Sequence, residues 1–402
     1  MDNPRLDRLA AFPFRRLAAM LEGLEPCSGM PALDMSIGEP RHSPPPLLAE
    51  TVAAHAGAWN RYPPPAGTAA FRASCCRWLE RRNGLPSGSL DPDRHLLPLA
   101  GTKEGLFLLA QLVAPETADG QPARILMPDP LYAVYYGAAV MAGAEPRPLP
   151  ATAASGFLPD LDALDRDLLA RTALFYLCSP SNPQGAVADA AYLRRLAGWA
   201  REYGFLLAVD ECYAEIYGAE PPPGALGVVW PEDPECTNLL VFHSLSKRSN
   251  APGLRSGFVA GDPRLLRRFL HLRAYGAAVQ PLPLMAAATA LWEDEAHVAA
   301  NRALYRRKFD IAEARLAGRF GFVRPAGGFF LWLDVGDGVA AARELWTKAA
   351  LKVLPGTFLS ATAGPESPGH RYIRLAMVHD EATIGEALDR LIGVSEHWDL
   401  RQ

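Results

Sequence analysis

One lysine in this sequence stands among residues that suit a phosphate group. Lys247 ends the run Ser-Leu-Ser-Lys, which contains Ser244 and Ser246, and Arg255 follows on the same loop. Arginine binds phosphate through a planar fork of N–H donors, and serine hydroxyls with backbone N–H groups can complete such a site. Most lysines are merely solvated, but a lysine amine can also hold a carbonyl compound covalently. The loop therefore suits a phosphate beside a covalently held carbonyl.

Three further polar residues could serve the same chemistry. Asp210 ends an apolar run, where a helix N-cap or an ion pair would be its ordinary role. An ionised carboxylate there could instead face the pyridine nitrogen of pyridoxal phosphate and keep the ring protonated, which makes it an electron sink. Tyr213 could reach the ring hydroxyl from the following turn. Asn182 could donate to the same oxygen, although it also has an ordinary interpretation as a turn residue.

The elements that would position these residues form a recurring pattern between about residues 95 and 280. Short apolar runs end in polar loops, and helical patterns such as Ala190–Tyr203 separate them; the runs begin at Arg124, Thr172, Phe205 and Asn238. This alternation predicts an α/β fold with a mainly parallel sheet sandwiched by helices. Ligands gather at the carboxyl edge of such sheets, which would collect Asp129, Asn182, Asp210 and Lys247.

The two ends of the chain differ from this middle region. After residue 285 we expect a long helical stretch, roughly Ala286–Phe320, and then strands at 327–334 and 372–377. These elements predict a smaller α+β domain on which the first 40 or so residues pack. The expected division is a large domain at 45–285 and a small domain formed by 1–44 and 286–402. Gly101, before Thr102, predicts a helix entered through a glycine turn, whose first N–H groups could bind phosphate.

Size and composition exclude several classes of protein. The 402 residues suffice for two domains, and 49% apolar with 21% charged residues is ordinary for a globular protein. A net charge of −4 argues against a nucleic-acid protein. The N-terminus lacks a signal-peptide pattern and the apolar runs are too short for a membrane span, so a cytoplasmic location is expected. Six cysteines without C-x-x-C spacing indicate reduced, mostly buried thiols, neither a metal site nor a disulfide framework.

The sequence resembles the fold-type I, class I/II aminotransferases, which use pyridoxal phosphate. The resemblance spans nearly the whole chain, and its motifs occur in the family's order: Ser36-Ile-Gly-Glu-Pro; Arg61-Tyr62 with Gly67; Gly101-Thr-Lys-Glu-Gly; Pro130-Leu-Tyr132; Asn182-Pro-Gln-Gly; Asp210-Glu-Cys-Tyr213; Ser244-Leu-Ser-Lys247; Gly253-Leu-Arg255; and Arg374. Each motif alone is weak, but the ordered set is specific. It implies a seven-stranded type of sheet in the large domain.

The resemblance also implies roles in holding the cofactor. Lys247 would carry it as a Schiff base and then move the proton between the substrate Cα and the cofactor. Asp210 would pair with the pyridine nitrogen, Asn182 and Tyr213 would hold the ring oxygen, and Tyr132 would stack on the ring. The residues implied to hold the phosphate, the first two chiefly through backbone N–H groups, are Thr102, Lys103, Ser244, Ser246 and Arg255.

Two further roles concern the substrate and the partner subunit. Arg374 would bind the substrate α-carboxylate bidentately with help from the Gly38 backbone, although a solvated strand arginine is its ordinary interpretation. Asn182 would adjoin the same substrate. Tyr62 would reach the phosphate of a neighbouring subunit, so the active unit would be a homodimer. The implied ligands are amino acids and 2-oxo acids, with no metal, nucleic acid or membrane.

Several segments are similar to the succinyldiaminopimelate aminotransferases, which serve lysine and cell-wall precursor synthesis in bacteria. The expected reaction is transfer of an amino group between N-succinyl-L,L-diaminopimelate and 2-oxoglutarate. Basic residues should then read the additional carboxylates, and the candidates by position, each of which could equally be solvated, are Lys103, Arg15, Arg16 and Arg41. Phe12 and Phe14 could form part of a lid.

Other activities remain open at this point. An aspartate, aromatic or general amino-acid aminotransferase would carry the same motifs. A Cβ–S lyase or a cyclopropane-forming synthase would use the same lysine and cofactor. A cofactor-sensing transcription regulator is disfavoured, because the aminotransferase motifs begin near residue 36 and leave no room for an N-terminal winged-helix module.

Overall fold

A computed structural model of the protein describes residues 2–114, 120–396 and 398. The ends of the predicted small domain, Met1 and residues 399–402, therefore lie outside the described residues. The strands, numbered along the chain, are β1 (Leu33–Asp34), β2 (Leu96–Leu99), β3 (Arg124–Asp129), β4 (Glu145–Pro150), β5 (Thr172–Cys178), β6 (Leu206–Asp210), β7 (Leu239–Ser244), β8 (Gly257–Gly261), β9 (Phe330–Asp334), β10 (Leu351–Lys352), β11 (Leu354–Pro355) and β12 (Tyr372–Ala376).

The α-helices surround these strands. They are α1 (Pro13–Leu21), α2 (Pro46–Ala54), α3 (Ala69–Asn83), α4 (Thr102–Val113), α5 (Ala133–Ala142), α6 (Arg166–Ala170), α7 (Ala190–Tyr203), α8 (Ala225–Val229), α9 (Leu245–Arg248), α10 (Pro263–Gly276), α11 (Leu282–Glu293), α12 (Ala296–Leu316), α13 (Gly338–Ala349) and α14 (Glu381–Ser395). None of the helices in the described ranges is both long enough and apolar enough to cross a membrane.

The largest sheet has seven strands in the order β2-β8-β7-β6-β5-β3-β4. β8 runs antiparallel to its two neighbours, and the remaining pairs are parallel. The four apolar runs singled out in the sequence are β3, β5, β6 and β7. The prediction of a mainly parallel sheet is confirmed, and the carboxyl ends of β5, β6 and β7 lie side by side.

Both faces of this sheet are covered by helices. Along β5, Phe175 and Leu177 face a core shared with α3, α7 and α11, whereas Leu174 and Tyr176 face a core shared with α4, α5 and α10. Burial of each large apolar side chain stabilises the fold by roughly 1.5–3 kcal/mol. The continuous apolar character of these strands follows from this double coverage.

The helix α7 illustrates how local sequence sets the boundaries. Asp189 caps its start, because the side chain accepts a hydrogen bond from the backbone N–H of Tyr192 at 2.7 Å. Gly204 ends it in a left-handed conformation with φ of 77°. The predicted range Ala190–Tyr203 is confirmed.

A second layer is built from short strands and the C-terminal helices. β11, β12 and β9 form an antiparallel sheet, and β1 pairs in parallel with β10. Through β1 the N-terminal segment joins this layer, where Met35 packs in the same core as Leu331 and Ile373. Farther upstream, Arg5 instead donates to the carbonyl of Met141 at the end of α5.

The long helical stretch expected over roughly Ala286–Phe320 consists of two helices. α11 ends at Glu293 and α12 begins at Ala296. Asp294 separates them, since its carboxylate accepts hydrogen bonds from the backbone N–H groups of Ala296 and His297 at 3.2 and 3.3 Å. α11 packs on α2 and α3. The domain boundaries at residues 45 and 285 stay a prediction.

Candidate active site

A cavity of about 550 Å³ lies at the carboxyl ends of β5, β6 and β7. It contains every residue predicted to hold the cofactor or the substrate α-carboxylate except Tyr62. Asp129, also expected at this edge, lies outside the lining, where its carboxylate accepts a hydrogen bond from the backbone N–H of Ala361 at 3.2 Å. The lining is completed chiefly by apolar and aromatic side chains: Phe12, Pro13, Phe14, Leu131, Ala133, Cys178, Cys212, Pro252, Phe330 and Leu359. The structure therefore brings together residues that are more than 300 positions apart in the sequence, from Gly38 to Arg374.

Lys247 projects into the cavity from α9, which begins directly after β7. Ser244 caps this short helix, because its hydroxyl accepts a hydrogen bond from the backbone N–H of Ser246 at 3.1 Å. The Lys247 ammonium donates to the carbonyl of Gly38 at 2.6 Å and lies 5.1 Å from the centre of the Phe329 ring. Burial lowers the pKa of Lys247 to about 8. A substantial fraction of this amine is therefore neutral, and nucleophilic, in mildly alkaline solution.

Asp210 lies at the end of β6 and is 6% exposed. Its carboxylate accepts hydrogen bonds from the Tyr135 hydroxyl at 2.7 Å and from the Cys212 backbone N–H at 3.2 Å. Burial raises the pKa of Asp210, and these hydrogen bonds oppose the rise. A cationic group facing this carboxylate would stabilise its ionised form further.

Sequence reasoning missed both hydrogen-bond donors to Asp210. Tyr135 lies three residues after Tyr132, and its ring stacks on that of Tyr176 with centroids 4.6 Å apart. A helical spacing from Tyr132 was a signal that could have identified it. Cys212 lies within the motif around Asp210, but no sequence feature indicated that its N–H would be a donor.

Arg374, on β12, is 3% exposed. One terminal nitrogen donates to the Asn182 side-chain oxygen at 2.9 Å and the other donates to the Ser36 carbonyl at 2.7 Å. The guanidinium lies 4.2 Å from the centre of the Phe330 ring. Burial lowers the pKa of Arg374 to about 10. The ordinary interpretation as a solvated strand arginine does not hold, because the side chain is buried and points into the cavity.

Arg374 keeps N–H donors that could bind a ligand. Its Nε has no hydrogen-bond partner among the described residues. Each terminal nitrogen of a guanidinium carries two hydrogens, so one on each remains after the bonds to Asn182 and Ser36. A fork of this kind matches a carboxylate.

A cradle for an anion lies at the start of α4. Gly101 precedes the helix with φ of 83°, and a Cβ at this position would lie 2.1 Å from a terminal nitrogen of Arg255. Both observations require glycine there. The Ser244 and Ser246 hydroxyls lie 2.9 Å apart in the same cavity. The first N–H groups of α4, from Thr102 onward, add donors at the positive end of the helix.

The remaining predicted cofactor residues pack near Asp210. Tyr132 lies edge-on to Tyr135 with ring centroids 5.6 Å apart. Tyr213 is buried against Phe329 and Phe330, with centroid distances of 5.3 and 5.8 Å. Burial raises the pKa of both Tyr132 and Tyr213, so each hydroxyl is a donor at neutral pH.

Tyr62 and three of the basic candidates lie away from this lining. The Tyr62 side chain is 99% exposed. Arg16 donates to the carbonyls of Thr357 and Phe358, each at 3.4 Å, while Arg15 and Arg41 are exposed. Lys103 alone of the four lines the cavity, together with Phe12 and Phe14. Its ammonium lies 5.3 Å from the centre of the Phe12 ring.

A cavity at this edge of such a sheet, with a half-buried lysine, a buried carboxylate and an anion cradle, fits pyridoxal phosphate. The donors suit its phosphate, the carboxylate suits its ring nitrogen, and the lysine amine suits its aldehyde. The fold and the site together define a pyridoxal-phosphate-dependent transferase.

The chain belongs to the family of class I and II aminotransferases, whose model matches residues 31–391. Members of this family use pyridoxal phosphate and act on amino acids and 2-oxo acids, which confirms the predicted cofactor and class of substrate. The resemblance noted in the sequence is confirmed.

Individual relatives differ in what they act on. The chain is 32% identical over 378 residues to 4-dedimethylamino-4-oxo-anhydrotetracycline transaminase OxyQ of Streptomyces rimosus, covering 94% of this chain and 95% of that protein. It is 31% identical over 402 residues to LL-diaminopimelate aminotransferase of Desulforudis audaxviator, covering 98% and 97%. A solved aminotransferase structure from Neisseria meningitidis superposes with a TM-score of 0.92 at 38% identity, covering 98% and 100%.

Proposed function

We propose that this aminotransferase moves an amino group between N-succinyl-L,L-diaminopimelate and 2-oxoglutarate in a ping-pong reaction. The single observation that carries the choice of substrate is the charge of the cavity. Lys103 stands at its rim, and Asp210 is the one acidic residue among the described residues that line it. A substrate with additional carboxylates and no second free ammonium suits such a cavity.

A second candidate is LL-diaminopimelate itself, which the relative from Desulforudis audaxviator favours. Both compounds have the same carbon skeleton, but the unsuccinylated one carries a second ammonium. That ammonium would lack a carboxylate partner beyond Asp210 in the described lining, and an unpaired charge is costly to desolvate. Succinylation removes the charge and adds a carboxylate, so we place this candidate second.

Pyridoxal phosphate, when bound, supplies an aldehyde that condenses with amines and a cationic ring that withdraws electrons. We assign Asp210 to the ring nitrogen, Asn182 and Tyr213 to the ring oxygen, and Tyr132 to the ring face. The phosphate is assigned to the cradle formed by Thr102, Lys103, Ser244, Ser246 and Arg255, the first two through backbone N–H groups. The buried Asp210 and the close packing of Gly101 under Arg255 support these assignments.

Lys247 is assigned the proton transfers. As a neutral amine it would take the proton from the substrate Cα, hold it as an ammonium and pass it to the cofactor. The lowered pKa of about 8 supports this role, since a base is most effective when its pKa lies near the working pH. The Gly38 carbonyl, 2.6 Å away, stabilises the ammonium between the two transfers.

Arg374 is assigned the substrate α-carboxylate. Its two bonds to Asn182 and Ser36 fix the plane of the guanidinium, and the remaining hydrogens present a fork. A fixed plane orients the Cα–H bond of every amino acid in the same way, which lowers the entropic part of the barrier.

We further propose a homodimer in which Tyr62 completes the partner's site. A tyrosine that is 99% exposed leaves an aromatic ring in water, which a second copy could cover. Mixing Lys247→Ala chains with Tyr62→Ala chains tests this arrangement. Activity above the sum of the two separate variants is expected, because one hybrid site retains both residues; a simple sum would contradict shared sites.

The substrate proposal is tested by steady-state kinetics with 2-oxoglutarate as acceptor. The succinylated compound should have the higher kcat/KM, and parallel reciprocal plots should indicate ping-pong kinetics. A higher kcat/KM for unsuccinylated LL-diaminopimelate would overturn the first choice in favour of the second. Pyruvate and ammonia released from a cysteine conjugate without any acceptor would instead indicate a Cβ–S lyase.

A further inference from the structure

A second group of buried polar side chains lies behind Lys247, between the segment that follows β1 and the helix α12. Lys308 is 1% exposed and Asn301 is 4% exposed, both on α12. The Lys308 ammonium lies 2.6 Å from Nε2 of His42 and 3.1 Å from the carbonyl of Met377. His42 Nδ1 lies 2.9 Å from the side-chain oxygen of Asn301. None of these residues belongs to the lining of the cavity.

The chemistry of these groups fixes the direction of every hydrogen bond. Below its pKa the Lys308 amine is an ammonium, which can only donate, so Nε2 of His42 then accepts and the imidazole proton resides on Nδ1. His42 therefore donates to the Asn301 oxygen, which also accepts from the Asn250 amide at 2.9 Å. The Asn301 amide nitrogen is then directed to the carbonyls of Lys247 and Arg248, at 3.3 and 3.4 Å.

These two carbonyls need such a donor. α9 is a four-residue helix, and the last carbonyls of a helix have no partner within it. So short a helix also has little stability of its own. The same segment that carries His42 supplies the Gly38 carbonyl that accepts from the Lys247 ammonium. The segment 38–42 thus contacts the Lys247 side chain directly, through Gly38, and the Lys247 backbone indirectly, through His42 and Asn301.

The arrangement is costly for the fold. Lys308 is buried against an imidazole, a backbone carbonyl and the Tyr305 ring, 4.9 Å from its centre, rather than against a carboxylate. Burial lowers the pKa of Lys308 to about 8 and also lowers the pKa of His42. Buried charges that stabilise little are often retained for specificity or function.

We propose that His42 is a positioning residue for Lys247. Lys308 holds its imidazole in one tautomer, and Asn301 transmits that orientation to the carbonyls of α9. The inference rests on the role proposed for Lys247. It predicts that the position of Lys247 depends more on the hydrogen bond that His42 donates to Asn301 than on the one that it accepts from Lys308.

Two substitutions of His42 remove these two hydrogen bonds separately. In His42→Asn the side-chain amide can occupy the Nδ1 position and still donate to Asn301. In His42→Gln the amide can reach the Nε2 position and accept from Lys308, but the donor to Asn301 is lost. Both variants lose the imidazole packing on Tyr305, where the rings lie 4.9 Å apart. His95→Asn is the matched control, because this buried histidine accepts from Asp91 N–H and lies at the same end of the sheet as the start of β7, whereas α9 follows the end of that strand.

Two measurements on purified protein report the result. The first is amide hydrogen exchange of residues 245–250 before pyridoxal phosphate is added. The second is the rate at which Lys247 attaches added pyridoxal phosphate, followed by absorbance. We expect His42→Gln to slow attachment by about tenfold to a hundredfold, as misplacement of a reacting group can, and to accelerate exchange. His42→Asn and His95→Asn should remain close to the wild type.

Equal behaviour of His42→Asn and His42→Gln in both measurements would overturn the inference, because the imidazole would then act only through packing. If the wild type and Lys247→Ala give the same absorbance, the proposed role of Lys247 fails. The exchange rates in residues 245–250 would still decide whether His42 positions α9.

Discussion

The inner wall of the cavity and its outer rim are built in different ways. On the inner wall, Asp210 and Arg374 are buried and each is held by two hydrogen bonds to other residues. On the rim, Phe12 and Phe14 are more than a third exposed, and Lys103 touches an aromatic face. A group fixed by several bonds acts on what all substrates share, whereas an exposed group can act on what differs between them.

The comparison predicts the largest effect at Asp210. Asp210→Asn keeps the shape but removes the negative charge opposite the assigned ring nitrogen. Its single amide oxygen can accept from only one of the two donors, because Tyr135 and Cys212 bind different carboxylate oxygens of Asp210. We expect kcat to fall by about 10²–10³-fold with every amino acid, as when a preorganised electrostatic contact is removed. Stopped-flow absorbance gives the rate constant of the first half-reaction, which should fall by a similar factor. A loss confined to one substrate would contradict the view that the inner wall acts on all substrates alike.

The second effect concerns Arg374. Arg374→Lys retains a cation but loses the planar fork. We expect kcat/KM to fall by about tenfold to a hundredfold for all amino acids, since a hydrogen bond to a charged group contributes about 1.5–3 kcal/mol. Arg371→Lys is the control, because that exposed arginine pairs with Asp334 outside the cavity. Equal losses in both variants would indicate a general effect on β12.

The third effect should be selective. Lys103→Met removes an exposed charge, so kcat/KM for the succinylated substrate should fall by roughly two- to fivefold. With 2-aminobutyrate, which has no distal carboxylate, kcat/KM should not change, and Lys103→Arg should behave as the wild type. High salt should diminish the difference between the substrates. A loss that is equal for both substrates would assign Lys103 to the inner wall.

An effect no larger than that of Lys103→Met is expected from the aromatic residues of the rim. Replacing Phe12 and Phe14 together by alanine should raise KM by about two- to fivefold, the size of an exposed cation–π contact. The measurement is KM against kcat, because a rim that only covers the substrate should leave kcat unchanged. An unchanged KM would exclude a lid formed by these residues.

The same contrast explains what the sequence could predict. Asp210, Asn182 and Lys247 were identified because strand ends of a parallel sheet meet at one edge, so local pattern specifies their neighbourhood. The contacts of Tyr135 with Asp210 and of the Ser36 carbonyl with Arg374 were missed, because they depend on tertiary packing across the sheet and between segments distant in sequence. The network of His42, Asn301 and Lys308 was missed for the same reason.

One helix boundary was missed because it depends on a feature that acts locally. The break between α11 and α12 depends on the Asp294 carboxylate turning back to two N–H groups, whereas the apolar pattern continues on both sides. Arg16 was a candidate for the pocket only by its position in the chain, with a solvated surface role as the alternative. The packing of α1 directs it instead to the carbonyls of Thr357 and Phe358.

The central claim is that Lys247 holds pyridoxal phosphate and moves protons on the inner wall. The most direct measurement is the absorbance of the protein with pyridoxal phosphate, before and after addition of glutamate, alongside Lys247→Ala. We predict a band near the visible edge that shifts to that of the pyridoxamine form with glutamate in the wild type, and no catalytic shift in the variant. An unchanged wild-type spectrum, or the same conversion in Lys247→Ala, would contradict the account.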